Sequence, residues 1–393
     1  MTPGFFKDLG TPYAASALVG FIFAATGPVA IILAVGAQGG LSESDLSSWI
    51  FGSFFLNGLI SISFCLWYRQ PLVFFWTIPG SVLVGPALGH LAFPEVIGAF
   101  IATCVLMLAL GLSGWVRRCT EAAPMAIVMA MVAGVFLRFG IGLVHSVRDD
   151  FWIAAPMVVA FLFLSWSAIG KRLPPVLGAM GIGVVAMFLI GNFELKSQEI
   201  LKLTLPNFYA PAFSWQAMVD LVIPLAITVL VVQNGQGFAV LTAAGHKPPM
   251  NAIASACGVG SIASAFTGAV SSCLTGPVNA IISSGGDRQR HYTAGVMVGL
   301  LALLFGVMST TFTRLMLATP PAFIAALGGL AMLRVLQTAF VSAFGGGKFP
   351  LGALVTFLVT VADVVIFDIG AAFWGLVLGF GVSWLLERKD FAR

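Results

Sequence analysis

Of 393 residues, 59 % are hydrophobic and only 9 % are charged, far from the usage of a soluble domain. The 19 basic and 15 acidic residues leave a net charge of +4. That excludes a globular enzyme with a greasy core, and no nucleic-acid partner is expected.

Apolar stretches long enough to cross a bilayer recur about fourteen times. The first, Tyr13 to Val35, is too long for a signal-peptide core and reads as a retained span, interrupted at Ala25-Thr26-Gly27-Pro28. Spans follow at 46–68, a broken segment at 73–90, 95–114, 124–145, 151–169 and 174–191. A polar connection, 192–214, carries Glu194, Lys196, Glu199, Lys202 and Asn207. The second set runs 215–244, 249–267, a broken segment at 269–284, 292–309, 316–342, 349–367 and 371–386. The chain thus divides into a first repeat (1–191), an external connection (192–214) and a second repeat (215–393).

Charge orients the spans. With the amino terminus in the cytoplasm, Lys7, Arg69, Arg117, Arg118, Lys171, Arg172, Lys247, Arg288, Arg290, Lys348, Arg388, Lys389 and Arg393 fall inside, and only Arg148, Lys196, Lys202 and Arg314 outside. This positive-inside bias places both termini in the cytoplasm of a bacterial-type inner membrane.

The halves resemble each other. Ser81-x-Leu83-x-Gly85-Pro86 matches Ser272-x-Leu274-x-Gly276-Pro277, and Pro124 precedes Leu137-Arg138 as Pro320 precedes Leu333-Arg334. The separations are 191 and 196 residues, seven spans apart, and an odd number of spans makes the repeats inverted. The fold expected is an all-α polytopic membrane protein of about fourteen spans in two inverted seven-span repeats. Short strands should precede half-helices in spans three and ten.

Chemistry should sit at those broken segments. Leu72 to Ile78 is β-branched and aromatic before Pro79-Gly80-Ser81, and Gly268 to Ser272 precedes a similar run. Pro79 and Ser81 suit a helix start, as Ser271 or Ser272 suits an N-cap. Two half-helix N-termini favour an anion. Span eight adds Gln233-Asn234-Gly235-Gln236, with no carboxylate and no basic residue among these amides. The candidate binding set is therefore Thr26, Gly27, Thr77, Pro79, Gly80, Ser81, Gln233, Asn234, Gln236, Ser271, Ser272 and Thr275.

Arg138 lies about 21 Å beyond Pro124, and Asp363 about 20 Å beyond Pro350, at similar depth. Snorkelling accounts for Arg138 and for Arg334 in the inner third of span twelve; a salt bridge or gate between Arg138 and Asp363 is the sharper reading. Asp220 is near the outer interface, with a proton-relay role open to it. Cys65, Cys104, Cys119, Cys257 and Cys273 read as small apolar residues. His90, His145, His246 and His291 are scattered over loops, and no metal or cofactor is expected. The 34 Phe residues read as packing or lipid-facing groups.

At these residues the chain resembles the benzoate/proton symporters of the BenE family. The resemblance rests on Trp76-Thr77-Ile78-Pro79-Gly80, Leu137-Arg138-Phe139-Gly140, Gln233-Asn234 and Ala372-Phe373-Trp374-Gly375-Leu376, in that order along the whole chain. Two positions depart from the family pattern: Gln236 stands for its usual proline, and Ala269-Val270-Ser271-Ser272 for its Gly-Gly-His stretch. The resemblance implies the seven-plus-seven fold of nucleobase and sulfate transporters. Within it, a core domain (spans 1–4 and 8–11) moves against a gate domain (spans 5–7 and 12–14). It implies import of an aromatic carboxylate with protons, carried by Asp363, Asp220 or the substrate's own neutral acid. The partners implied are a small organic anion, the proton and membrane lipid, and a homodimer is compatible with the architecture. Amides and serines, where nucleobase carriers have acids, argue against a purine or pyrimidine. A sulfate or other inorganic-anion carrier, and an anion channel, remain the alternatives.

Overall fold

The computed structural model describes residues 3–116, 118, 124–167, 174–190, 201–367 and 369–391. Arg117, Cys119, Lys171, Arg172, Glu194, Lys196, Glu199 and Arg393 lie outside the described residues. Among the described residues, seven helices are long and apolar enough to cross a bilayer. Six shorter apolar helices and the half-helix Gly276–Ile282 complete fourteen membrane segments.

The inverted repeat is visible in the element bounds. Span five (Met125–Asp149) and span twelve (Pro321–Phe344) start 196 residues apart. Span six (Phe151–Trp166) and span thirteen (Pro350–Ala362) end at that same interval, which also relates span seven (Pro175–Ile190) to span fourteen (Ala371–Leu386). Span five packs along span twelve, six along seven and thirteen along fourteen, while span four packs along nine and two along eleven.

The broken segments meet at the centre of the molecule. Strand β1 (Phe74–Trp76) pairs antiparallel with strand β2 (Ser272–Leu274) in the register Phe74↔Leu274, Phe75↔Cys273, Trp76↔Ser272. Extended backbone at this depth must find its partners within protein. Ser61 Oγ accepts from Phe74 N at 2.8 Å, and Ser261 Oγ accepts from Ser272 N at 2.7 Å. Two asparagines supply further partners. Asn234 Oδ1 accepts from Leu274 N at 2.8 Å and Asn279 Oδ1 from Val73 N at 3.0 Å.

The half-helices Ile78–Ala87 and Gly276–Ile282 start from Thr77 and Thr275, 198 residues apart. This corrects two expectations. The N-caps are the threonines, not Ser81, Ser271 or Ser272; Thr77 Oγ1 accepts from Gly80 N at 3.1 Å. The related motif is Thr77-x-Pro79 with Thr275-x-Pro277, because threonine favours extended backbone and proline belongs in a first helical turn. The Ser-x-Leu-x-Gly-Pro match is out of register: Ser81 lies inside a helix and Ser272 in a strand.

Two boundaries also move. Span twelve begins at Pro321, not 316, because Thr319-Pro320-Pro321 separates it from a short helix, Ser309–Leu317. Span thirteen ends at Ala362 rather than 367. Asp363 adopts φ 55°, which Asp tolerates better than most residues, and the β-branched run Val364-Val365-Ile366 follows. Span eight contains two π-helical stretches, Met218–Val222 and Thr228–Gln233. Pro224 has no N–H to offer the carbonyl of Asp220, which accounts for the first.

Candidate functional site

A cavity of about 1170 Å³ lies between spans one, three, eight and ten on one side and spans five, six, seven and twelve on the other. First-turn residues of both half-helices, Ile78, Pro79 and Pro277, reach its wall. Most of the rest is apolar: Phe23, Met125, Met129, Phe136, Phe161, Trp166 and Val231 are among the lining side chains. Gln233 and Gln236 add amides, and Arg334 adds a guanidinium. Gln236 lies against the start of the second half-helix, where a methyl at Gly276 would sit 2.5 Å from its Cγ.

Of the candidate binding set, Pro79, Gln233 and Gln236 are on this wall. The others are engaged elsewhere. Thr26 Oγ1 donates to Ile22 O at 2.9 Å, and Gly27 packs against Ala331 of span twelve. Thr77 and Gly80 form the first cap, and Ser81 Oγ donates to Thr77 O at 3.0 Å. Asn234, Ser271, Ser272 and Thr275 belong to the ribbon: Asn234 holds Leu274, Thr77 N donates to Ser271 O at 2.9 Å, and Thr275 N donates to Val73 O at 3.1 Å. The Gln233-Asn234 pair thus divides its work, one amide to the cavity and the next to the backbone.

The sequence places no basic residue among these amides, but Arg334 of span twelve lines the same cavity. Distance along one helix places it near an interface, but only the tertiary fold shows that it lines the same cavity as Gln233. The aromatic wall was equally hidden, since Phe23, Phe136 and Phe161 come from three spans with no common sequence stripe.

Opposite the cavity, spans three and eight close against spans five, thirteen and fourteen around a gap of about 30 Å³ lined by Pro86, Arg138, Asp220, Asp363 and Gly370, among others. Arg138 and Asp363 form an ion pair across spans five and thirteen. Asp220 is buried; it accepts from Gly370 N at 2.8 Å and from His90 Nε2 at 3.0 Å. His90 carried no sequence signal beyond its place in a loop. A second histidine contact joins the loop residue His246 to His291, which opens the helix of span eleven rather than lying in a loop. His291 Nε2 donates to Gly285 O at 3.0 Å, so its Nδ1 is the acceptor for His246 Nε2 at 3.1 Å. Burial first, then His291 and Arg288, push the His246 imidazole down to about 4.

Residues 10–385 match the family described as benzoate membrane transport protein. The chain belongs to the BenE family. Among its relatives, the inner membrane protein YdcO of Escherichia coli is 29 % identical over 375 residues, covering 94 % of this chain and 95 % of YdcO. A benzoate membrane transport protein of Acinetobacter baylyi is 26 % identical over 370 residues, covering 92 % of each. The fold also resembles the transmembrane domain of a cyanobacterial bicarbonate transporter, BicA, with TM-score 0.62 and 14 % identity over 95 % of this chain and 99 % of that one. Murine Solute Carrier 26 family member A9, an anion transporter solved in its inward-facing state, gives TM-score 0.66 and 18 % identity, covering 96 % of this chain and 68 % of that one. This BenE-family chain is therefore a multi-pass membrane transport protein with the inverted-repeat transporter fold.

Proposed function

We propose that the protein imports an aromatic carboxylate, a benzoate-like anion, by proton-coupled alternating access. The composition of the cavity wall carries this reading: an apolar, aromatic surface with two amides and one guanidinium. Such a wall gives a hydrated inorganic anion little to replace its water. It suits a ligand with a ring to bury and a single charge to neutralise. The benzoate carrier among the relatives supports the same class.

The charge bias of the loops puts both termini in the cytoplasm. The large cavity then faces inward and the Arg138–Asp363 side outward. Spans 1–4 and 8–11 act as a core and spans 5–7 and 12–14 as a gate, with the substrate between them. Asp220 offers a route for coupling. It joins span eight to Gly370 ahead of span fourteen, and a carboxylate accepts an N–H bond better than a carboxylic acid does. Protonation of Asp220, with His90 as its exchange partner, loosens this latch as the outer side opens. Asp363 and Arg138 pair within the gate and line the same gap.

The test is uptake of labelled benzoate into proteoliposomes under an inward proton gradient. Gradient-driven accumulation that collapses with a protonophore is expected, with sulfate neither transported nor competing. Accumulation of sulfate in place of benzoate, or a conductance with no coupling to protons, would replace this reading.

A further inference from the structure

We propose that Arg334 is the counter-charge for the substrate carboxylate, and that Ser167 leaves it available. This rests on the reading of the protein as an aromatic-carboxylate carrier. The interval of 196 residues that relates span five to twelve also relates Arg138 to Arg334, and Ser167 to Asp363. Ser167 and Asp363 each follow the last helical residue of their span, six and thirteen. The two faces of the molecule therefore carry equivalent positions with different chemistry.

On the closed face, Arg138 is neutralised by Asp363. On the cavity face, serine stands where the acid would be, and the Ser167 hydroxyl is buried without a hydrogen-bond partner among the described residues. Arg334 has a neutral neighbour, Gln337 Oε1 at 3.3 Å, and no carboxylate pairs with it among the described residues. Both Ser167 and Arg334 line the cavity. A guanidinium against an apolar wall is stabilised by a carboxylate that accepts two parallel N–H bonds. A monocarboxylate entering this cavity supplies the group that the repeat omits at Ser167. The ligand then completes on one face the pair that the protein builds into the other. A dense phosphate or sulfate would gain the same charge contact, but it would leave the aromatic wall unused.

Equilibrium binding of benzoate to purified, folded protein tests this. Arg334→Gln should weaken binding by at least about tenfold, the scale of a charge-assisted hydrogen bond. Arg334→Lys should lose less, and Ser167→Ala should bind like wild type. Ser167→Asp should weaken binding as much as Arg334→Gln, because an internal acid now occupies the guanidinium. It should also raise Tm in the Arg334 background and lower it in the Arg334→Gln background. Wild type that binds benzoate while folded Arg334→Gln binds within twofold of it overturns the assignment. Wild type that binds no benzoate defeats the transport reading instead. In that case, equal Tm effects of Ser167→Asp in the two backgrounds would also remove the argument that Arg334 is available.

Discussion

Arg138 and Asp363 show how a contact can be right while its magnitude is not. A pair sealed in the membrane interior would cost several kcal/mol to break. Here the side chains are 31 % and 42 % exposed, so the expected coupling falls to about 1 kcal/mol. A thermal-stability double-mutant cycle with Arg138→Gln and Asp363→Asn should give a coupling of that size. Asparagine tolerates the left-handed backbone at 363, so the variant removes charge without adding strain. Strictly additive losses would leave each charge acting alone.

His246 gives a second residue-level expectation. Its folded pKa lies below the usual imidazole value, so the unfolded chain binds the proton more tightly. Stability is then complete above about pH 6.5 and declines as pH falls toward 4. His246→Gln, which keeps a donor for His291 Nδ1, should flatten that part of the Tm-versus-pH curve. An unchanged slope would assign the acid sensitivity to other groups.

At the scale of elements, the helical spans were legible because each is a run of apolar residues about a bilayer thick, and the repeat because its prolines and arginines recur at one interval. Short strands were foreseen from the β-branched residues ahead of Pro79. Their pairing register was not. Ser-x-Leu-x-Gly-Pro is made of residues common in membrane helices, and a fixed spacing cannot say whether the run is helix or strand. Nor could sequence show which polar residues serve backbone and which face a ligand. Asn234 and Gln233 are neighbours with different tasks, and Asn279 looked like any polar residue in a half-helix. Asn279 is in fact bonded to Val73 N, Val73 O and Thr275 O. Asn279→Ala would orphan Val73 N at mid-membrane depth, worth about 1–3 kcal/mol when left unpaired, while Val73 O keeps its bond from Thr275 N. A clear drop in Tm is expected, and loss of transport only as a consequence of it. A variant as stable as wild type would mean that the ribbon finds other partners.

At the scale of the whole molecule, the asymmetry between a cavity of about 1170 Å³ and a gap of about 30 Å³ makes a prediction about sidedness. The wall residues Met125, Trp166, Pro174 and Thr338 lie at the ends of spans five, six, seven and twelve that connect, through an even number of crossings, to the face of the N-terminal helix. In the proposed orientation, which the loop-charge bias favours, that face is cytoplasmic. Two exposed positions report orientation directly: Gln289, between spans ten and eleven, and Lys202, in the long connection. In a cysteine-free background, an impermeant maleimide added to intact cells should label Lys202→Cys and spare Gln289→Cys. With orientation known, Met129→Cys on the cavity wall should react only when reagent reaches the cytoplasmic side. Benzoate should slow that reaction, because the ligand occupies the same space. Leu83→Cys, at the closed gap, should stay unreactive from outside until substrate and protons drive the outer side open. If Gln289→Cys labels in intact cells, the membrane orientation is reversed and the large cavity faces outward. If Met129→Cys reacts equally from both sides, the two faces are not alternately sealed, and a channel describes the protein better than a carrier.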